Sequence, residues 1–327
     1  MTLTNSKPAI AITIGDCNGI GPEIVLKSVA HPTVKRICSP VLVGPVDAFE
    51  FYAKRMKMSL PSFPIVESSV LHQSSIKPGN VSARSGRAAA RAIEAAVELA
   101  NADIVKAIVT GPVSKHALHK GGVRFPGHTE MLQRLTGAKH VAMILVSKTM
   151  CVGLVTIHVP IKRVSSLLTR KLIRDRIEVV HRALVSDWRI SNPKIAVLGL
   201  NPHAGEAGDI GTEDKRIIAP VVKSLAGAKM NIKGPFPADG FFARYWPGDY
   251  DAIIAMYHDQ GLIPLKMSAQ GRAVNVSAGL PIVRTSPDHG TAFDIAGKGI
   301  ADPGSMIEAI KLAVRIAKNR DASRRRR

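Results

Sequence analysis

Residues 9–27, AIAITIGDCNGIGPEIVLK, decide the fold class. The run 9–14 is short, apolar and rich in β-branched residues, as expected of a strand buried on both faces. Gly15, Gly19 and Gly21 then break it, and Pro22 and Glu23 suit the first helical position and the first turn of a helix. Strand, glycine-rich turn and helix make the first half of a βαβ unit, and the pattern recurs. Apolar runs at 41–43, 104–110, 141–146, 152–157, 195–200 and 252–256 read as strands. Residues 85–100, 167–185 and 305–317 read as helices; in the first, Ile93, Val97 and Ala100 share one face and Arg87, Arg91, Glu94 and Glu98 another. Such alternation predicts an α/β fold with a mainly parallel sheet. A chain of 327 residues exceeds what one core usually serves, so two domains are expected.

Bulk composition narrows the function classes. The chain is 46% hydrophobic and 21% charged, with no apolar run of membrane-spanning length and no charged-then-apolar leader. Cys17, Cys38 and Cys151 lie far apart, in no C-x-x-C pair, which argues against a disulfide framework or cysteine zinc site and for a reducing cytoplasm. The net charge of +20 invites a nucleic-acid reading, but the basic residues are dispersed and aromatics make up only 4%, so no stacking surface is expected. The dense terminal cluster, RDASRRRR, reads as a solvated, disordered tail. A basic protein also attracts small anionic substrates.

In open α/β sheets ligands lie beyond the carboxyl ends of the strands. Here those positions carry GDCNGIGPE, GPVSKHAL, His158, NPHAGEAGD and YHDQG. The first is neither G-x-G-x-x-G nor a Walker sequence, so no Rossmann or P-loop fingerprint applies; its N–H groups can meet an anion or simply make the turn. His158, His203 and His258 each follow an apolar run closely. Three imidazoles so placed suit a divalent ion such as Zn²⁺, Co²⁺ or Mn²⁺, although each alone reads equally as a loop or core residue. Asp259 and Glu206 are candidates to orient the rings, or else loop caps. In FPGHTEML, His128 and Thr129 either hold a phosphate or carboxylate at a helix start, or Thr129 is an N-cap. Lys266, Asn275 and Arg284 recur at intervals of nine residues and suit anion contacts.

Taken together, GDCNGIGPE, TGPVSK, PGHTE, NPHAGE, PAD, AMYHDQG and AGLPIVRTSPDHGTAFDIAGKG resemble, in order and over nearly the whole chain, the 4-hydroxythreonine-4-phosphate dehydrogenase family of vitamin B6 synthesis. The glycine-rich turn and DHGTAFDIAGKGIADP also resemble the isopropylmalate and isocitrate dehydrogenases. The resemblance implies two α/β/α domains, isopropylmalate-dehydrogenase-like, with the active site in the cleft between them. Residues 1–127 with 272–327 would bind NAD (or NADP), and 128–271 the metal and substrate. It implies a divalent metal (Zn, Co, Mg or Mn) on His158, His203 and His258, and a small phosphorylated hydroxy acid on His128, Thr129, Lys266, Asn275 and Arg284. Lys266 and Asp239 would act in catalysis, and the adenosine side of the dinucleotide would lie on Asp288, His289, Gly290, Thr291 and Asp294. It further implies a cytoplasmic homodimer with active sites shared between subunits, and no nucleic-acid or membrane partner. Gly240 follows Asp239 where many members carry a threonine, and Cys17–Asn18 stand where Pro-Ala is common. The implied reaction is NAD-linked oxidation of 4-phosphohydroxy-L-threonine with loss of CO₂. The alternative is 4-phospho-D-threonate or D-erythronate; a metal-dependent phosphohydrolase and a nucleic-acid-binding protein are the readings from other classes.

Overall fold

The computed structural model describes residues 7–125 and 127–324. The chain divides into two compact units, Met1–Ala138 with Leu280–Arg327, and Lys139–Gly279. His128 and Thr129 thus belong to the first unit, where the sequence places them in the second. The strands, in chain order, are β1 Ala9–Thr13, β2 Ser39–Val43, β3 Ile65–Val66, β4 Ala107–Thr110, β5 Ala142–Val146, β6 Cys151–Leu154, β7 Ile195–Leu198, β8 Ile232–Phe236, β9 Ala252–Ala255, β10 Val274–Ala278 and β11 Arg284–Pro287.

In the first unit the order is β3-β2-β1-β4-β11, and all four pairings are parallel. The helices Ala83–Asn101 and Gly304–Arg324 pack on β1 and β4 and on β4 and β11. Ser82 starts the first of these by accepting the Ser85 N–H at 3.1 Å, an ordinary N-cap. Its Ala and Ile side face the core, and Gly86 lets the helix Lys115–Lys120 approach so closely that a Cβ there would lie 2.0 Å from the Ala117 carbonyl. The helix Gly304–Arg324 corrects the disordered-tail expectation. It continues through Arg320, which donates to the Leu280 and Pro281 carbonyls at 3.3 Å, and 325–327 lie outside the described residues.

In the second unit the order is β10-β5-β6-β9-β7-β8, with β10–β5 and β5–β6 antiparallel and the rest parallel. The helix His258–Ala269 packs on β6 and β9, burying Leu262 and Leu265 at 4% and 0% exposure. Each such side chain is worth about 1.5–3 kcal/mol relative to exposure. Gly261 makes the approach possible: a Cβ there would meet Val152 at 2.6 Å and Ala255 at 2.9 Å. The three cysteines are free, and no described helix is long and apolar enough to cross a membrane.

Candidate functional site

YHDQG, which follows β9, has a reason for each residue after the tyrosine. Gln260 accepts the Met256 N–H at 2.7 Å and donates to the Gly199 carbonyl at 2.6 Å, so it ties the ends of β9 and β7 together. Gly261 seats the helix. That leaves His258 at the first helical position, where Asp259 Oδ1 lies 2.6 Å from its Nδ1. A carboxylate on Nδ1 fixes the ring and directs Nε2 outward, the arrangement that metal-binding or acid–base histidines use. The His158 ring, beyond β6, has its centroid 5.8 Å from that of His258. Two imidazoles on one tetrahedral ion put their centroids roughly 5 Å apart, given metal–nitrogen bonds of about 2.1 Å. The pair therefore fits a shared divalent ion in both donor chemistry and spacing.

His203 is placed differently. It begins a run, residues 203–207, in which every φ is positive: 53, 52, 79, 42 and 59°. Such backbone costs roughly 1–2 kcal/mol for each non-glycine residue. Asp214 anchors the loop by accepting the Leu200 and Asn201 N–H groups at 2.7 and 3.1 Å. Among the described residues of the single chain, no group of three His, Cys, Asp or Glu side chains is close enough together to hold a metal ion. The structure thus brings His158 and His258 together and leaves His203 on its own loop. Glu206, in the same run, is exposed, so of the two candidate orienting acids only Asp259 meets a histidine. Asp239 is exposed in the first turn of Ala238–Arg244, and Lys266 is exposed in the last turn of His258–Ala269. Asn275, on β10, has its Oδ1 enclosed and without a hydrogen-bond partner.

In the first unit the glycine-rich turn is closed on itself. The Asn18 N–H donates to Asp16 Oδ1 at 2.9 Å, the Asp16 N–H to the Pro112 carbonyl at 2.9 Å and the Ile20 N–H to the Thr291 carbonyl at 2.9 Å. These donors are used internally, so the turn positions its neighbours rather than cradling an anion. Asp16 is wholly buried and receives the Ser85 hydroxyl; burial raises its pKa against those two hydrogen bonds. Gly19 lies against Thr291, where a Cβ would come within 2.8 Å of the carbonyl oxygen, so the turn and the 288–294 loop fit each other. In that loop the Asp288 N–H donates to Ser305 Oγ at 3.2 Å, His289 Nδ1 lies 3.2 Å from the Gly290 carbonyl oxygen, and Gly290 has open space on its Cβ side. Asp294 is exposed. Carboxylates beside an open backbone are groups that a ribose or adenosine can use.

Arg284 and His128 form the most unusual pair of this unit. Arg284 is 1% exposed and donates from Nε and Nη2 to Thr110 Oγ1 at 3.1 and 2.7 Å. Burial pushes its pKa down to about 10, which still leaves it a cation at neutral pH. His128 opens the helix His128–Thr136 after Gly127, and its Nε2 is enclosed without a hydrogen-bond partner. Burial first, and the Arg284 charge second, push its pKa down to about 3. Thr129 is nearly buried at the second helical position, so it is not the N-cap. A buried guanidinium beside a neutral imidazole with an unmet nitrogen suits an oxyanion. Sequence reading singled out neither Thr110, although it opens TGPVSK and closes an apolar strand, nor Gln260, although it lies in YHDQG.

The sequence matches the family described as pyridoxal phosphate biosynthetic protein PdxA over residues 36–313. It is 38% identical to the 4-hydroxythreonine-4-phosphate dehydrogenase of Bacteroides thetaiotaomicron, over 97% of this chain and 91% of that one. It is 41% identical to the D-threonate 4-phosphate dehydrogenase of Cupriavidus necator, over 96% and 98%. The crystal structure of 4-hydroxythreonine-4-phosphate dehydrogenase from Klebsiella pneumoniae superimposes with a TM-score of 0.84 at 38% identity, covering 96% of this chain and 99% of that one. Isocitrate dehydrogenase from Methylococcus capsulatus, at 16% identity and a TM-score of 0.52 over 97% and 88%, shares the fold.

Proposed function

The chain belongs to the family of pyridoxal phosphate biosynthetic protein PdxA, and on that premise we propose that it oxidises 4-phosphohydroxy-L-threonine with NAD⁺ and a divalent metal. The product 3-keto acid loses CO₂ to give 3-amino-2-oxopropyl phosphate. The observation that carries the reading is the buried Arg284 held by Thr110, whose charge acts on the neutral His128, an arrangement that suits an oxyanion.

In this reading His158, His203 and His258 hold the metal, with Asp259 orienting His258. A divalent ion held there would supply Lewis-acid polarisation of the substrate hydroxyl, and a bound nicotinamide would supply the hydride acceptor. Arg284, Lys266, His128 and Thr129 bind phosphate and carboxylate oxygens. Asn275 Oδ1, an acceptor without a partner, takes a donor from the substrate, its ammonium or a hydroxyl. Lys266 and Asp239, both exposed and at helix ends, exchange protons with the reacting groups. Asp288, His289, Gly290, Thr291 and Asp294 carry the adenosine side of NAD. The protein acts as a homodimer with each site shared. Ile263 and Met267, 57% and 77% exposed one turn apart on the helix that begins at His258, support that arrangement.

The 41% identity to the Cupriavidus enzyme favours a second substrate, 4-phospho-D-threonate. NADH formation from 4-phosphohydroxy-L-threonine, 4-phospho-D-threonate, 4-phospho-D-erythronate and an unphosphorylated control separates the two. The first substrate is expected to give the highest kcat/KM. The control should fall at least about 100-fold lower, since charge-assisted contacts to a dianion assist the chemistry. Turnover of the threonate alone selects the second reading, and NADH from none of them rejects both.

A further inference from the structure

The first unit contains a cavity of about 420 Å³ whose lining residues belong to none of the metal, substrate or cofactor sets named above. One wall is the helix Ala83–Asn101. Arg84, Arg87, Ala88 and Arg91 fall at i, i+3, i+4 and i+7, which puts them on a single face. The opposite wall is the segment 69–75. Val70 and Leu71 make it apolar, with Val70 72% exposed, and His72 adds a further ring nitrogen. Ser69 Oγ is enclosed and has no hydrogen-bond partner. A buried hydroxyl left so in the protein is one that a ligand can satisfy. Arg84 donates to Ser75 Oγ at 2.8 Å, which fixes one end of the guanidinium row. At the other end Arg91 pairs with Glu94 at 2.8 Å, and this carboxylate competes for it.

Three guanidinium groups on one face concentrate positive charge, which Glu94 offsets only at Arg91, and an anion lying among them would lower the repulsion. The row spans about 10 Å from Arg84 to Arg91 at 1.5 Å per residue, longer than one phosphoryl group can bridge. The apolar wall calls for an organic body beside the anion. We propose that this cavity binds an organic polyphosphate, its phosphoryl groups along Arg84, Arg87 and Arg91 and its body against Val70 and Leu71. The site is independent of the proposed catalytic reading.

Calorimetric titration of the full-length protein with uridine 5′-diphosphate, inorganic pyrophosphate and uridine tests this; the uridine compound avoids the adenosine proposed for loop 288–294. Uridine diphosphate should bind, pyrophosphate at least about fivefold more weakly, and uridine not measurably. The double variant Arg84→Ala/Arg91→Ala removes two charge-assisted contacts and should weaken uridine diphosphate at least about tenfold. Both arginines are exposed, so the fold should survive, as an unchanged melting temperature would show. Glu94→Gln frees Arg91 and should tighten binding about threefold, a gain that a purely structural role would not produce. The KM for NAD⁺ should be the same in all variants. Undiminished binding in the double variant, equal binding of pyrophosphate and uridine diphosphate, no binding at all, or a raised KM for NAD⁺ in the double variant each overturns the proposal; the last would place the arginines in the cofactor site.

Discussion

His128 shows how a single residue can report its surroundings. Its ordinary pKa is 6.5, and burial with the Arg284 charge pushes it down to about 3. Below pH 6.5 the unfolded chain therefore binds a proton that the folded chain refuses. Stability falls as pH drops from 6.5 toward 3 and is unaffected by this group above that window. His128→Gln keeps a polar side chain of similar reach and removes the titration. Its urea midpoint should fall less between pH 7.5 and pH 5 than that of the wild type; parallel curves would show that the imidazole is freely protonated. Arg284→Lys tests the partner. An ammonium keeps the charge but cannot make both contacts to Thr110 or present a fork to an oxyanion. We expect kcat/KM to fall about 100-fold with a melting temperature within a few degrees of wild type, since each lost charge-assisted contact is worth about 1.5–3 kcal/mol. An unchanged kcat/KM would remove Arg284 from substrate recognition.

Among the elements, close helix packing rests on glycines that a sequence shows only as gaps. Gly86→Ala would press a methyl against the backbone of Lys115–Lys120, and backbone cannot rotate away. Overpacking of this kind costs about 1–3 kcal/mol, against a gain of up to about 1 kcal/mol from helix propensity. The net expectation is a lower urea midpoint, and a rise would mean that the two helices separate without penalty. The same contrast explains which elements were legible. Apolar runs at 9–14, 195–200 and 252–256 announced β1, β7 and β9, because a strand covered on both faces needs nothing but apolar side chains. β11 was illegible for the opposite reason. Its sequence RTSP is wholly buried, yet its polar groups are met by partners distant in the chain, as when Thr285 Oγ1 donates to the Ala309 carbonyl at 2.9 Å. β8 carries Lys233, Gly234 and Pro235, which read as a turn. β10 alternates, VNVSA, and carries Asn275, whose Oδ1 is enclosed without a hydrogen-bond partner. The site followed the same rule: His258 was visible at a strand end, whereas the contact of Thr110 with Arg284 spans 174 residues.

At the scale of the whole molecule, the proposed metal centre raises a question of subunit composition. One chain's described residues bring His158 and His258 to within 5.8 Å between ring centroids but supply no three-donor group. The proposed homodimer resolves this if one histidine of each centre comes from the second subunit. His203→Ala and His258→Ala proteins should each form no NADH, and exhaustive chelation of the wild type should do the same, reversed by Zn²⁺, Co²⁺ or Mn²⁺. If His203 and His258 of one centre belong to different subunits, a mixed dimer has one site with both defects and one with none. Random two-fold pairing makes about half the dimers mixed, and each keeps one good site of two, so mixing the variants should restore roughly a quarter of wild-type activity. Pairing His158→Ala with each of the others then assigns the remaining ligand, because only residues on different chains complement. Subunit exchange must be established independently, by the mass of a tagged and an untagged protomer in one dimer. With exchange proven, no recovery from any of the three pairings would mean that each centre is built within one chain, and that the 203–207 loop must move to complete it.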